Sequence, residues 1–165
     1  SLSREDPDFL KCYVTNTILG VFGMMGRLGQ SVREKSGLAY YAYSRLEGGK
    51  GPGAWRVTAG VDPANVEKTL ALIREELQTL RETRVSKEEL SDSQTYLTGR
   101  LPIELETNEG VAQALLNIER YNLGMDYLYR YRDLIMAVTR QDMQAMAQQW
   151  LDPEHYALAV AEPEQ

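Results

Sequence analysis

The stretch Gly26–Ser44, GRLGQSVREKSGLAYYAYS, forces the backbone to change character within a few residues. Gly29 through Glu34 fit a helix, which the segment from Gly26 opens and which carries Leu28 and Val32 toward a core. Ser36-Gly37 stops it, because glycine takes the left-handed position beyond a helix end at little steric cost. Leu38, Tyr40, Ala42 and Ser44 then alternate with Ala39, Tyr41, Tyr43 and Arg45. That is strand periodicity, and it groups Tyr40 on one face with Ala42 and Ser44. Any fold containing this run must bring a helix end and a tyrosine-rich strand to one corner. Arg33 offers a fixed cationic fork there, and Tyr40 a neutral hydroxyl donor. A structural reading stands beside this one: Arg33 answers the helix dipole and Tyr40 packs on the sheet.

The flanking sequence supplies helices and a second strand. Asp6-Pro7 reads as a helix entry, with Asp6 as cap. Phe9, Leu10, Tyr13, Val14, Thr17, Ile18, Val21 and Phe22 follow at helical spacing, and the Leu19-Gly20 and Phe22-Gly23 pairs predict a break or a close contact. Met24 and Met25 read as packing. After the tyrosine strand, the glycine-rich loop at 48–53 turns into Trp55, Val57, Ala59 and Val61, which alternate toward a layer of helices. The loop lacks the GxxxxGK[ST] pattern of a phosphate site. Asp62-Pro63 opens a helix with a stripe of Val66, Leu70, Ile73, Leu77 and Leu80, and Ser86 with Glu89 forms a capping box for the next. Gly99 and Pro102 predict a bend or stop there. Further helices start near Thr107 and Thr139, with Gly124 ending the first of these, and Tyr156–Val160 reads as a third strand. The order predicts one α+β domain over residues 1–165. A sheet this small beside so many helices suggests that a strand is missing from the start.

Charge and composition exclude several functions. The net charge of −6 argues against nucleic acid as a partner. No stretch approaches the ~20 apolar residues needed to span a bilayer; the sequence leaves the compartment open, with the cytoplasm weakly favoured. The single cysteine, Cys12, forbids an intrachain disulfide and reads as a small buried hydrophobe. With one histidine, His155, and no HExxH-like pair, the chain has no His/Cys zinc site. His155 therefore reads as a surface group, and Glu75, Glu76, Glu88 and Glu89 as solvated helix faces. Tyr121, Tyr127, Tyr129 and Tyr131 do not share one face and read as core and rim.

The central run resembles the M16 (pitrilysin-like) metallopeptidases and their relatives, the mitochondrial processing peptidase and the cytochrome bc1 core subunits. The resemblance rests on Leu19-Gly20, on Gly26-Arg27-Leu28, and on the block Val32-Arg33-Glu34-Lys35-Ser36-Gly37-Leu38-Ala39-Tyr40. Thr107, Glu109 and Ala112 match a family helix entry loosely; Tyr131, Ile135, Ala137, Val138, Thr139, Asp142 and Met143 match a C-terminal family segment. It implies the LuxS/MPP-like metallohydrolase fold, a small antiparallel-rich sheet against a helical layer. It also implies a zinc-free C-terminal-type domain, a fragment of a longer chain and inactive alone. Family members pair such a domain with a homologous one that holds zinc through HxxEH and a distal glutamate. The zinc-free partner contributes an arginine and a tyrosine seven residues apart, and Arg33 and Tyr40 have that spacing. The resemblance thus implies no cofactor in this chain, zinc in a partner domain, and a peptide substrate held by Arg33 and Tyr40 as its tetrahedral intermediate forms. The alternatives are an inactive core-protein-like scaffold or a peptide-binding module. A missing strand would leave a sheet edge open to self-association.

Overall fold

A computed structural model of the chain describes residues 2–21 and 26–161. The expectations for Phe22, Gly23, Met24 and Met25 lie outside those residues. Helix α1 spans Phe9–Asn16 and passes directly into a π-helical turn, Thr17–Val21. Its cap differs from the expectation. Asp6 Oδ1 accepts the amide of Asp8 at 2.9 Å, so the aspartate-proline pair closes a turn ahead of the helix, and Asp8 occupies the cap position. The apolar stripe is also wider than its spacing suggests, since every residue from Val14 to Gly20 is buried. Thr15 and Thr17 tolerate this because their hydroxyls donate back to the carbonyls of Lys11 and Tyr13, at 2.8 and 2.9 Å. α1 is therefore a central element, packed on by the sheet and three later helices.

A second π-helix, Gly29–Lys35, buries Leu28 and Val32 completely. It leads into β1, Ala39–Leu46, which pairs antiparallel with β2, Trp55–Val61. Ala39, Ala42 and Ser44 of β1 stand opposite Val61, Ala59 and Val57 of β2. The three β1 residues are buried, and Trp55, Val57, Ala59 and Val61 pack onto the same core as expected. The alternation read for β1 fails at one place. The register shifts between Ala39 and Tyr41, a β-bulge, so Tyr40 leaves the face of Ala42 and Ser44. Ala39 takes the buried position in its stead.

Asp62 caps a 3-10 turn, Pro63–Asn65, that leads into α2, Val66–Glu82. The Ser86/Glu89 capping box opens α3, Lys87–Glu104. Gly99 and Pro102 do not end α3. Pro102 sits in its last turn, where the missing amide forfeits one ladder bond and leaves the rest intact. Thr107 caps α4, Asn108–Arg120, which ends before Gly124; a turn with Asn122 and Gly124 at positive φ follows. Then come α5, Tyr127–Met136, and α6, Arg140–Trp150, the latter opened by a Thr139/Asp142 capping box. Gln94 of α3 is buried and donates to the carbonyls of Ile135, Met136 and Val138, closing the end of α5.

The expected third strand is absent. Residues 156–160 are exposed and irregular, and the sheet among the described residues has two strands. A turn in which Asp152 Oδ1 accepts the Glu154 amide at 2.9 Å sends the chain toward α2, where the Tyr156 hydroxyl accepts from Arg74. There the segment meets a helix surface, which offers no backbone partners for a strand. The architecture is α+β, a small antiparallel sheet packed against helices.

Candidate functional site

The corner between the second π-helix and β1 is closed by its own backbone. The carbonyls of Ser31, Val32 and Arg33 would be orphans at the helix end. They accept from the Ser36 hydroxyl at 2.7 Å, the Leu38 amide at 3.1 Å and the Gly37 amide at 2.9 Å. Gly37 makes this possible with φ +63°, the left-handed value that side chains resist. π-Helical geometry widens the last turn, so the Leu38 amide reaches back six residues to Val32. Arg33 lies in that turn with its main chain fixed and its side chain in solvent.

Two contacts anchor the corner to the body. Arg27 donates to both carboxylate oxygens of Glu89, at 2.8 and 3.1 Å, which ties the entry of the helix to the start of α3. The solvated reading of Glu89 is thereby corrected. Burial raises the Glu89 pKa, but the Arg27 hydrogen bond and the Ser86 amide outweigh it and hold the carboxyl below its ordinary range. On the strand side, Gly20 lies so close to β1 that a Cβ there would fall 2.3 Å from the Ser44 amide nitrogen. Asn16 bonds both strands: its Oδ1 accepts from Trp55 Nε1 at 2.8 Å, and its backbone carbonyl accepts from the Ser44 hydroxyl at 3.4 Å.

The bulge turns Tyr40 out, and 79% of its surface is exposed. Among the described residues, neither Arg33 nor Tyr40 makes a side-chain hydrogen bond or ion pair. Both are donors without a task in the fold, a cation and a phenol on either side of a rigid corner. Tyr41 and Tyr43 extend this open face. Their rings are 5.9 Å apart, and Tyr41 covers Gly60, where a Cβ would fall 2.4 Å from its ring. The alternation did show that Tyr41 and Tyr43 share a face. The small residues Ala42 and Ser44 opposite them were the unused signal that this face looks outward. No cluster of three or more His, Cys, Asp or Glu side chains able to hold a metal occurs among the described residues. Cys12 is fully buried, and burial pushes its thiol up to about 12. His155 is exposed, with Nδ1 2.8 Å from Asp152 Oδ2. Tyr127 and Tyr131 are buried edge to face and Tyr129 is exposed, the core-and-rim pattern expected.

The family profile of the peptidase M16 inactive domain matches residues 1–97. The chain belongs to the M16 inactive-domain family. Its structure is similar to the crystal structure of a peptidase M16 inactive domain from Pseudomonas fluorescens. The TM-score is 0.84 at 26% identity, over 92% of this chain and 36% of that one. The inactive peptidase domain of a putative zinc protease from Bordetella parapertussis shares the fold at TM-score 0.73 and 22% identity, over 91% of this chain and 81% of that one. An uncharacterized zinc protease of Streptomyces coelicolor is 38% identical over 105 residues, 64% of this chain and 23% of that protein. The chain spans between 23% and 36% of the length of the curated relatives it matches. As an M16 inactive domain it joins a helix, a corner and a hairpin whose outer face is open. No helix among the described residues is long and apolar enough to cross a membrane.

Proposed function

We propose that this M16 domain is the substrate-holding half of a composite metallopeptidase site. Arg33 and Tyr40 act on a peptide bond that a separate zinc-bearing M16 domain, in the same polypeptide or a partner subunit, hydrolyses. Zinc in that partner supplies the activated water. The side chains of this chain supply donors. As the amide carbonyl becomes tetrahedral, negative charge grows on its oxygen, and in this reading the Tyr40 hydroxyl and the Arg33 guanidinium stabilise it or grip a neighbouring carbonyl. The observation that carries this reading is the bulge at Tyr40 beside the closed corner of Arg33. The bulge exposes Tyr40 and the helix end leaves Arg33 in solvent, two donors without a hydrogen-bond or ion-pair partner among the described residues. Bulges and π-helical turns recur where a side chain is re-aimed for function. Several relatives named as zinc proteases fit such a role.

Arg33→Ala and Tyr40→Phe, made in the complete assembly, should each lower kcat by on the order of 10²-fold, the usual cost of one such donor. Thermal stability should stay within about 0.5 kcal/mol of the parent, as for other surface substitutions. Unchanged peptide turnover in both variants would sink the proposal. It would favour the scaffold reading, for which one relative, named a probable inactive metalloprotease in Bacillus subtilis, speaks at 29% identity over 115 residues.

A further inference from the structure

A cleft of about 790 Å³ opens beneath α4, between that helix and α1, α3 and α5. α4 buries only Ile118 and leaves Val111, Leu115 and Leu116 exposed, so it stands off the body rather than sealing it. Its lining mixes polar side chains with the aliphatic ones of Leu101, Ile118 and Leu128. Its wall holds Tyr13 of α1 and Tyr127 and Tyr131 of α5. The last two are 9% and 8% exposed, yet among the described residues none of the three hydroxyls has a hydrogen-bond partner. Their hydroxyl oxygens open into the cleft rather than being buried, so all three are free to bond water or a ligand there.

Arg4 completes the wall. Its amide donates to Gly49 O at 2.8 Å, and its guanidinium carbon lies 4.3 Å from the centre of the Phe9 ring and 5.9 Å from that of Tyr13. Stacking on two rings fixes the fork without neutralising it. Among the described residues Arg4 has no carboxylate partner. Arg45 at the end of β1 has none either. Arg100 is bonded to Glu104, and Glu109 is the remaining acid of the lining. Three arginines thus face two glutamates, in a chain whose net charge is −6. Burial raises the pKa of all three tyrosines, which keeps them protonated donors at neutral pH.

We propose that this cleft binds the carboxylate end of a short apolar peptide. Arg4 and the tyrosine hydroxyls hold the carboxylate, Leu101, Ile118 and Leu128 take the last side chains, and Gln113 and Asn117 on α4 meet the peptide amides. A single negative charge suits a lining with one net positive charge. A phosphate dianion would instead be repelled by Glu104 and Glu109. Neither Arg33 nor Tyr40 lines the cleft. Arg45 lies five residues along β1 from Tyr40, about 17 Å at strand rise, so the two sites are separate.

The test is calorimetric titration of the chain with N-acetyl-Ala-Ala-Leu-Phe as the free acid and as the C-terminal amide. The free acid should bind at least about tenfold more tightly than the amide, because the charge-assisted bonds need the carboxylate. Arg4→Gln should bring the acid down to the level of the amide. Tyr131→Phe, which keeps the buried ring, should weaken the acid several-fold. Equal binding of acid and amide, no binding of either, or an Arg4→Gln variant that binds like the parent would overturn the proposal. Decanoate is an apolar carboxylate with no amides, and displacement of the peptide at equal concentration would overturn the assignment to a peptide.

Discussion

Glu89 serves two structures with one carboxylate, and its removal should show both. Its Oε2 accepts the Ser86 amide at 2.7 Å while its own amide donates to the Ser86 hydroxyl at 3.0 Å. The same group takes two hydrogen bonds from Arg27, whose side chain is 17% exposed against 34% for that of Glu89. Alanine keeps the bond from the residue-89 amide to the Ser86 hydroxyl but loses the return bond to the Ser86 amide, which costs about 1 kcal/mol. Charge-assisted bonds contribute roughly 1.5–3 kcal/mol when sheltered, and solvent at a one-third-exposed carboxylate reduces that to about 1 kcal/mol. Glu89→Ala should therefore cost roughly 2 kcal/mol. In a chain of this length that lowers Tm by roughly 4–8 °C. Glu89→Gln keeps an acceptor for Ser86 and loses only the charge, so about half of the cost should remain.

The pH dependence separates this mechanism from simple helix weakening. The folded carboxyl lies below the ordinary 4.5, so the unfolded chain binds its proton first as pH falls. The contribution is complete above the ordinary value and is lost as pH drops through the folded one. Urea unfolding followed by circular dichroism at pH 7 and at about pH 3 should show a gap between parent and Glu89→Ala that narrows in acid. A gap under about 0.5 kcal/mol at pH 7, or one that does not change with pH, would refute the double role.

Two glycines of the site should fail for opposite reasons. Gly20→Ala places a methyl group against the backbone of Ser44 and Tyr43 and should cost about 1–3 kcal/mol by overpacking. Gly37→Ala meets no atom within 4 Å and should cost about 1 kcal/mol through its positive φ alone. Urea unfolding that ranks Gly37→Ala as the worse of the two would contradict this. Cys12, buried with its thiol pushed up to about 12, should react with a disulfide reagent at pH 8 only as fast as the fold opens, and labelling at a free-thiol rate would show the site to be accessible.

What the sequence disclosed were features written in one or two adjacent residues. Asp62-Pro63, Ser86 with Glu89, Thr107 and Thr139 announced helix starts because a cap is a local bond between a side chain and an amide a few residues on. Gly37 announced the corner for the same reason. The misreadings needed partners far away in the chain. Tyr156–Val160 has strand composition, but a strand exists only where an edge receives it. Pro102 looked like a stop because its position relative to the end of α3 was not legible. The face of Tyr40 depended on a bulge, and alternation assumes there is none. Glu89 looked solvated because Arg27, sixty-two positions earlier, is brought to it only by the fold.

The orientation of the candidate site is set from behind, by groups that never touch solvent. Asn16 is buried at the end of α1 and holds both strands, accepting from Trp55 of β2 through its side chain and from Ser44 of β1 through its carbonyl. A buried polar group of this kind is unfavourable unless every partner is in place, so it admits one docking of the hairpin and penalises others. Gly20 then lets β1 approach the π-helical turn closely enough for that docking. With the Ser44 end of β1 fixed on α1 and the Ala39 end fixed by the closed turn at Gly37, the strand has no freedom to absorb a mismatch along its length. The bulge takes up the mismatch at Tyr40, the first position beyond Ala39. Burial of Ala39 and exposure of Tyr40 are thus one event, and the same constraint that completes the core presents the phenol to whatever binds the corner.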